Sequence, residues 1–175
     1  KQADVILLMM LFPDEFDDHE VRQAWNYYVP RTTHDSSLSS GVHAIVALRL
    51  GKEKEAWRFW AKSCGKDLDV GNGGAAEGVH IAGCGNNWQV AVFGFAGMKT
   101  AMQTDVLTLA PRLPAKWKKL SFPIVWQGVP VTVSITPATC TLRNDGRRGI
   151  SVRVWGRERT LRRREVLRFR KPGRS

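Results

Sequence analysis

Two short stretches of the chain concentrate the residues able to do chemistry. The first is Pro30-Arg31-Thr32-Thr33-His34-Asp35-Ser36-Ser37-Leu38-Ser39, which sets hydroxyls, an imidazole and a carboxylate ahead of an apolar helical run. Hydroxyls and helix N-terminal amides donate well to an anion. The same residue types are also the usual caps and turn formers, so a well-capped loop accounts for them equally. The second is Gly73-Gly74-Ala75-Ala76-Glu77-Gly78-Val79-His80-Ile81, with a carboxylate three positions before an imidazole. On a helix Glu77 and His80 would share a face, and the flanking glycines would let a ligand approach the backbone. That pair suits acid–base work or anion binding. A solvated Glu beside a core His in a glycine loop is the plainer alternative. Lys1 and Gln2, just ahead of an apolar run, could hydrogen-bond a sugar, or be a solvated end.

The elements that must position these residues are helical as far as about residue 100. After Asp4, the run to Phe12 is nearly all apolar and should be buried on most sides, with Pro13 ending it. A polar stretch from Asp14 to Ser40 follows. Val42, Ile45, Val46 and Leu50 then mark a helix that Ser39 or Ser40 would cap and Gly51 would stop. From Lys52 to about Lys66, Trp57, Trp60 and Cys64, with Ala56 and Phe59 beside them, fall on one face of an amphipathic helix. A last helix is expected from Ala75 to about Lys99, with Ile81, Cys84, Trp88, Val92 and Phe95 as its apolar stripe. Its several glycines cost helix propensity and suggest close backbone approach to a neighbour or ligand. Trp25, Tyr27 and Tyr28 suit a sugar-binding face or plain core packing.

Beyond Thr104 the period changes to strand. Leu120, Phe122, Ile124 and Trp126 alternate with their neighbours, as do Val129, Val131, Val133 and Ile135, with a tight Gln127-Gly128 turn between. Asn144-Asp145-Gly146 is a second turn, Ile150, Val152 and Val154 continue the pattern, and Leu167 and Phe169 add a further strand. Helices followed by hairpins predict two layers or domains, 1–103 and 104–175. The charge divides the same way. Residues 1–103 carry 10 Lys/Arg against 12 Asp/Glu, net −2, and residues 104–175 carry 17 against 4, net +13. Arg162-Arg163-Arg164 is the densest point of the basic end, read as a solvated strand face with a disordered tail rather than a specific nucleic-acid site.

No apolar run approaches membrane-spanning length, and no signal peptide is visible in a chain that begins Lys1-Gln2-Ala3 without an initiator Met, so upstream sequence is expected. Cys64, Cys84 and Cys140 have no metal-ligand or redox spacing. They read as reduced thiols of a cytoplasmic protein. His19 and His43 lack metal-ligand partners, and no metal is expected.

Taken in order, several of these runs resemble glycoside hydrolase family 65, which includes maltose, kojibiose and trehalose phosphorylases and related hydrolases. The matching residues are Lys1-Gln2-Ala3-Asp4-Val5, Arg31-Thr32-Thr33-His34-Asp35-Ser36-Ser37-Leu38-Ser39, and Ala76-Glu77-Gly78-Val79-His80-Ile81-Ala82. Trp88-Gln89, Gly94-Phe95-Ala96-Gly97 and Pro111-Arg112-Leu113-Pro114 with Trp117 and Leu120 follow. The match runs to about residue 143, and the Arg-rich end has no matching motif.

The resemblance implies an α+β multidomain fragment: the last helices of an (α/α)6 barrel, then a small C-terminal antiparallel β-sandwich. It implies that Lys1 and Gln2 contact the glucosyl unit and that Ser36, Ser37 and His80 bind phosphate. Glu77 matches a carboxylate that serves as general base in hydrolytic members. The family inverts configuration with a general-acid Glu upstream of the Lys-Gln pair, so this chain alone is expected to be inactive. The whole enzyme is then expected to cleave an α-linked glucose disaccharide with phosphate, giving β-glucose 1-phosphate, without metal or organic cofactor, as a homodimer that contacts neither membrane nor specific nucleic acid. The alternatives are a hydrolase of the same family using Glu77, a stand-alone basic β binding module, and a truncated product without function.

Overall fold

A computed structural model of the chain describes residues 2–68, 78–100 and 103–173. Lys1 and Glu77 lie outside them. The chain separates into two compact units, Lys1–Gly94 and Phe95–Ser175.

The first unit is helical: α1 (Asp4–Leu11), α2 (Asp18–Tyr28), a short 3₁₀ turn at Val29–Arg31, α3 (Ser39–Arg49), α4 (Glu53–Gly65) and α5 (Ile81–Gln89), which runs on into a π-helical turn at Val90–Phe95. α1 ends before Pro13, but only Ile6 and Met9 are buried in it. Leu7, Leu8, Leu11 and Phe12 are exposed, contrary to the expected all-round burial.

α2 occupies the stretch read as merely polar. Its start is an Asp-x-x-Glu capping box: the Asp17 carboxylate accepts from the His19 and Glu20 amides, both at 2.8 Å, and Glu20 accepts from the Asp17 amide at 2.9 Å. Only Val21 and Trp25, one turn apart, are buried in α2. So few apolar positions explain why its period is faint.

α3 is the centre of the unit, buried from Ser39 to Ala44 and from Val46 to Leu48. The N-cap is Leu38 rather than Ser39 or Ser40, and both serines lie inside the helix and buried. The Ser36 hydroxyl accepts from the Leu38 amide at 3.3 Å instead. Gly51, at φ +72°, ends the helix in the left-handed conformation. Arg49 ties α3 to the α1–α2 connection, donating to the Asp18 carboxylate at 3.0 Å and to the Pro13 and Phe16 carbonyls.

In α4 the buried positions are Ala56 and Phe59, both on the expected apolar side, together with Ser63, so the face centres on them and not on Trp57, Trp60 and Cys64. Trp57 and Trp60, at ring centroids 5.3 Å apart, are only half-buried. Of the apolar stripe expected from Ile81 to Phe95, Val92 and Phe95 are buried and the earlier residues are not. Gly83, Asn86 and Val90 are buried while Ile81, Cys84 and Trp88 are exposed. Gly41 explains the choice: a Cβ there would lie 2.1 Å from Asn86 Nδ2, so the glycine makes room for that amide, which donates to the Leu38 carbonyl at 2.7 Å. α5 therefore docks on the first turn of α3 through a hydrogen bond and a missing side chain, not through its bulky apolar residues. Residues 78–80 are not helical, Gly78 is at φ +88°, and His80 is the N-cap. His80 thus stands at the start of the helix rather than within it, and the expected pairing with Glu77 lies outside the described residues.

The second unit begins at Phe95, earlier than the expected boundary at 103/104. The reason is a set of local pairings. The Arg112 amide donates to the Phe95 carbonyl, Ala110 to Gly97, and Lys99 to Thr108. Seven strands follow: β1 (Leu107–Leu109), β2 (Leu120–Trp126), β3 (Val129–Ile135), β4 (Thr139–Asn144), β5 (Ile150–Val154), β6 (Arg157–Leu161) and β7 (Val166–Arg170). They form two sheets, β1-β5-β6 and β2-β3-β4-β7. All pairings are antiparallel except β1 with β5, which is parallel, so the unit is not purely antiparallel.

Alternation buries Phe122, Val131, Val133, Leu142 and Phe169 of the larger sheet, and Leu107, Val152, Val154 and Leu161 of the smaller. The Gln127-Gly128 turn, with φ +47° and +79°, has the expected tight form, and Trp155-Gly156 repeats it between β5 and β6. Buried Asn144 ties the sheets together by donating to the Arg148 and Leu161 carbonyls at 2.8 and 3.3 Å. In the basic end Arg157 and Arg159 of β6 and Arg168 and Arg170 of β7 are exposed strand positions, while Arg162-Arg163-Arg164 forms the turn between these strands and is exposed as well. The expected tail beyond residue 173 lies outside the described residues.

Candidate active site

An open cleft of about 350 Å³ lies in the helical unit, its walls carrying the Asp35 carboxylate as well as His34, Ser36, Ser37, Ser40, Lys62 and Lys66. The loop before α3 supplies His34, Ser36 and Ser37, the first turn of α3 supplies Ser40, and the last turn of α4 with its C-cap supplies the two lysines. Hydroxyls facing ammonium groups suit an anion.

The loop is held in shape from behind. His34 sits at φ +59°, a left-handed conformation uncommon outside glycine. Its Nδ1 is 2.8 Å from Ser39 Oγ, and its ring packs on His43 at 4.6 Å and Phe59 at 5.2 Å. His43 is fully buried and its Nδ1 donates to the Ser39 carbonyl at 2.7 Å. Trp25 closes the same cluster against Phe59 and His43. It is therefore core rather than a sugar platform, whereas Tyr27 is exposed beneath Arg31. Burial, then the neighbouring His43, Lys62 and Arg58, push the His34 imidazole down to about 4. Burial likewise lowers His43. Both rings are neutral at pH 7, so the loop rests on hydrogen bonds and ring packing.

His80 reaches the same region from α5. A Cβ placed on Gly83 would touch His80 Cβ at 3.5 Å and Ser37 Oγ at 3.8 Å, so the two side chains flank one glycine. The Asn86 hydrogen bond to Leu38 holds that approach. Asp67, just past the end of α4, accepts from the His80 amide at 2.9 Å through Oδ2, and its Oδ1 lies 2.6 Å from His80 Nδ1. The hydrogen bond from the imidazole holds the Asp67 carboxyl below the usual carboxylate range.

Of the residues singled out in the sequence, Ser36, Ser37 and His80 thus lie in one region, at the mouths of α3 and α5. His80 lies beside the cleft and does not line it, and Gln2, exposed ahead of α1, does not line it either. Lys1 and Glu77 fall outside the described residues. Lys62, Lys66 and Asp67 were not picked out in the sequence. Lys62 and Lys66 are one helical turn apart on α4, a spacing that could have marked them. Asp67 has no local signal, because its partner is His80, across a loop. The three cysteines are free thiols, and the described residues hold no cluster of three or more potential metal ligands. Among the described residues no helix is long and apolar enough to cross a membrane.

The profile of the glycosyl hydrolase family 65 central catalytic domain matches residues 1–89, and that of the family's C-terminal domain matches residues 100–161. The chain belongs to glycosyl hydrolase family 65. It is 41% identical over 162 residues to a kojibiose phosphorylase of Caldanaerobacter subterraneus subsp. tengcongensis, covering 92% of this chain and 21% of that protein. It is 42% identical over 135 residues to the maltose phosphorylase of Bacillus subtilis, covering 77% of this chain and 18% of the relative. A solved structure provisionally described as a kojibiose phosphorylase from the human microbiome superposes at a TM-score of 0.87 with 30% identity, over 98% of this chain and 22% of that one. The chain therefore spans about a fifth of the length of these relatives.

Proposed function

We propose that this chain is the C-terminal part of an inverting α-glucoside phosphorylase, and that Ser36, Ser37 and His80 hold the phosphate that attacks the sugar. The observation that carries the reading is the meeting of Ser37 and His80 across Gly83, beside a cleft with hydroxyls on one wall and lysines on another. The relatives named as phosphorylases support it, and α1 to α5 would be the closing helices of an (α/α)6 barrel capped by a β-sandwich. Neutral hydroxyl and amide donors can orient a phosphate without neutralising the oxygen that must react.

In the whole enzyme a glutamic acid outside this segment would give its proton to the leaving sugar oxygen as the glycosidic bond breaks. A phosphate oxygen would bond to the anomeric carbon from the opposite face, leaving β-glucose 1-phosphate and a free sugar. Lys1 and Gln2 would contact the glucosyl unit. The substrate would be a maltose-, trehalose- or kojibiose-like disaccharide, phosphate the co-substrate, and the enzyme a cytoplasmic homodimer without a cofactor.

The test is the dependence of rate on phosphate in the full-length protein. His80→Ala should raise the phosphate KM roughly ten- to a hundredfold, the effect of losing one hydrogen bond to a charged group, while glucoside binding changes little. An unchanged phosphate dependence overturns the assignment and favours hydrolysis with Glu77 activating water.

A further inference from the structure

We infer that Ser63 and Lys62, on the last turn of α4, are further phosphate-binding residues, meeting from the α4 wall of the cleft the anion that Ser36 and Ser37 meet from the loop wall. The inference rests on the phosphate reading of the site. Lys62, Ser63 and Lys66 all line the cleft. Lys66 follows Ser63 by three positions and Lys62 by four, so the three share one side of the helix end.

Ser63 is the residue in need of a partner. A serine inside a helix turns its hydroxyl to water or bonds it to the carbonyl one turn back. Ser63 does neither: it is 5% exposed, and its Oγ makes no hydrogen bond. Its main-chain carbonyl is served, accepting from the Lys66 amide and, at 3.4 Å, from the Asn87 side chain. A hydroxyl both shielded from water and unbonded is destabilising, and alanine would suit this helical position better. A ligand oxygen in the cleft supplies the missing partner.

The rest of the lining says which ligand. Hydroxyls alone would suit a sugar. The cleft adds two ammonium groups against the single Asp35 carboxylate, and His34 is neutral, so the balance is positive and favours an anion. The Lys62 charge reaches the loop: after burial and His43, it is the next cause that holds the His34 imidazole low. Lys62 is itself exposed, so water screens it and it contributes less than the buried Ser63 donor.

Ser63→Ala, Lys62→Met and Lys62→Arg test this in the full-length enzyme, with inorganic phosphate as the probe. The readouts are the KM for phosphate, the KM for whichever of maltose, trehalose or kojibiose is cleaved, and the rise in melting temperature that phosphate produces. Ser63→Ala should leave the melting temperature without phosphate unchanged or higher, because the hydroxyl it removes has no partner there. It should raise the phosphate KM about tenfold, shrink the phosphate-induced rise and leave the disaccharide KM unchanged. Lys62→Met should raise the phosphate KM about threefold, an effect that added salt reduces and that Lys62→Arg does not show. A phosphate KM and melting rise in Ser63→Ala equal to wild type would mean that the hydroxyl meets only water. A fall in its melting temperature without phosphate would mean that the hydroxyl has a structural partner. Either result overturns the role of Ser63, and Lys62→Met indistinguishable from wild type overturns that of Lys62. A wild-type rate and melting temperature indifferent to phosphate overturn the phosphate reading itself.

Discussion

His34 is held where a proton would be costly. Its ring lies against His43 and Phe59, its Nδ1 is bonded to Ser39 Oγ, and its titration is pushed from the usual 6.5 down to about 4. The folded protein therefore keeps this ring neutral at pH values where the unfolded chain protonates it. Its contribution to stability is complete above pH 6.5 and is lost as pH falls from about 6.5 to about 4. His43, also lowered by burial, acts in the same direction. Asp17 and Asp67, both held below the usual 3.8, lose their contributions only at lower pH. Thermal melts between pH 7 and pH 4 should thus show a falling midpoint. His34→Asn, which tolerates the left-handed backbone, should flatten that fall without abolishing it. A slope identical to wild type would contradict the account.

At the scale of elements, the site depends on how closely α5 approaches α3. Gly41 sits at that crossing, and Asn86 fills the space its missing side chain leaves. Gly41→Ala would press a methyl group into a buried, hydrogen-bonded amide, so the two helices must part. We expect a loss of about 1–3 kcal/mol, typical of overpacking, read by chemical denaturation. Phosphate affinity in the full-length protein should fall with it, because His80 and Ser37 are brought together by the same crossing. Unchanged stability would show that Asn86 can relocate freely. The helices were legible where one apolar side was strong, as in α3, and the β-strands where alternation was long, as in β2 and β3. They were misread where packing uses small residues. In α4 Phe59 is buried with the small Ala56 and Ser63, in α5 Gly83 and Asn86 are buried, and Trp57, Trp60, Ile81 and Trp88 beside them are half-buried or exposed. Bulk suggested the opposite face, since a hydrophobic stripe records what is apolar and not how near a neighbour comes.

For the whole molecule, the exposed side of α1 has a physical consequence. Leu8, Leu11 and Phe12 are 45%, 53% and 46% exposed, with Leu7 beside them. Contiguous apolar surface of this kind promotes association. The isolated chain should elute from size exclusion as oligomers or aggregates, and Leu8→Gln with Leu11→Gln should shift it toward monomer. A wild-type chain that is a sharp monomer at high concentration would show that this face tolerates water. In a complete barrel the same face would pack on helices outside this segment.

The proposed phosphate residues, Ser36, Ser37 and His80, came from the resemblance carried by the order of motifs, since their local chemistry fits capped loops equally, whereas the change from helix to strand and the Gln127-Gly128 turn were legible directly. Those last features rest on period-two alternation and on a turn sequence suited to positive φ. What the tertiary structure alone decided is the partnership of Asp67 with His80, the wall formed by Lys62 and Lys66, and the meeting of Ser37 and His80 across Gly83. Each joins groups on separate elements, and their distance is set by helix crossings made through Gly41 and Asn86, which carry no periodic signal along the chain.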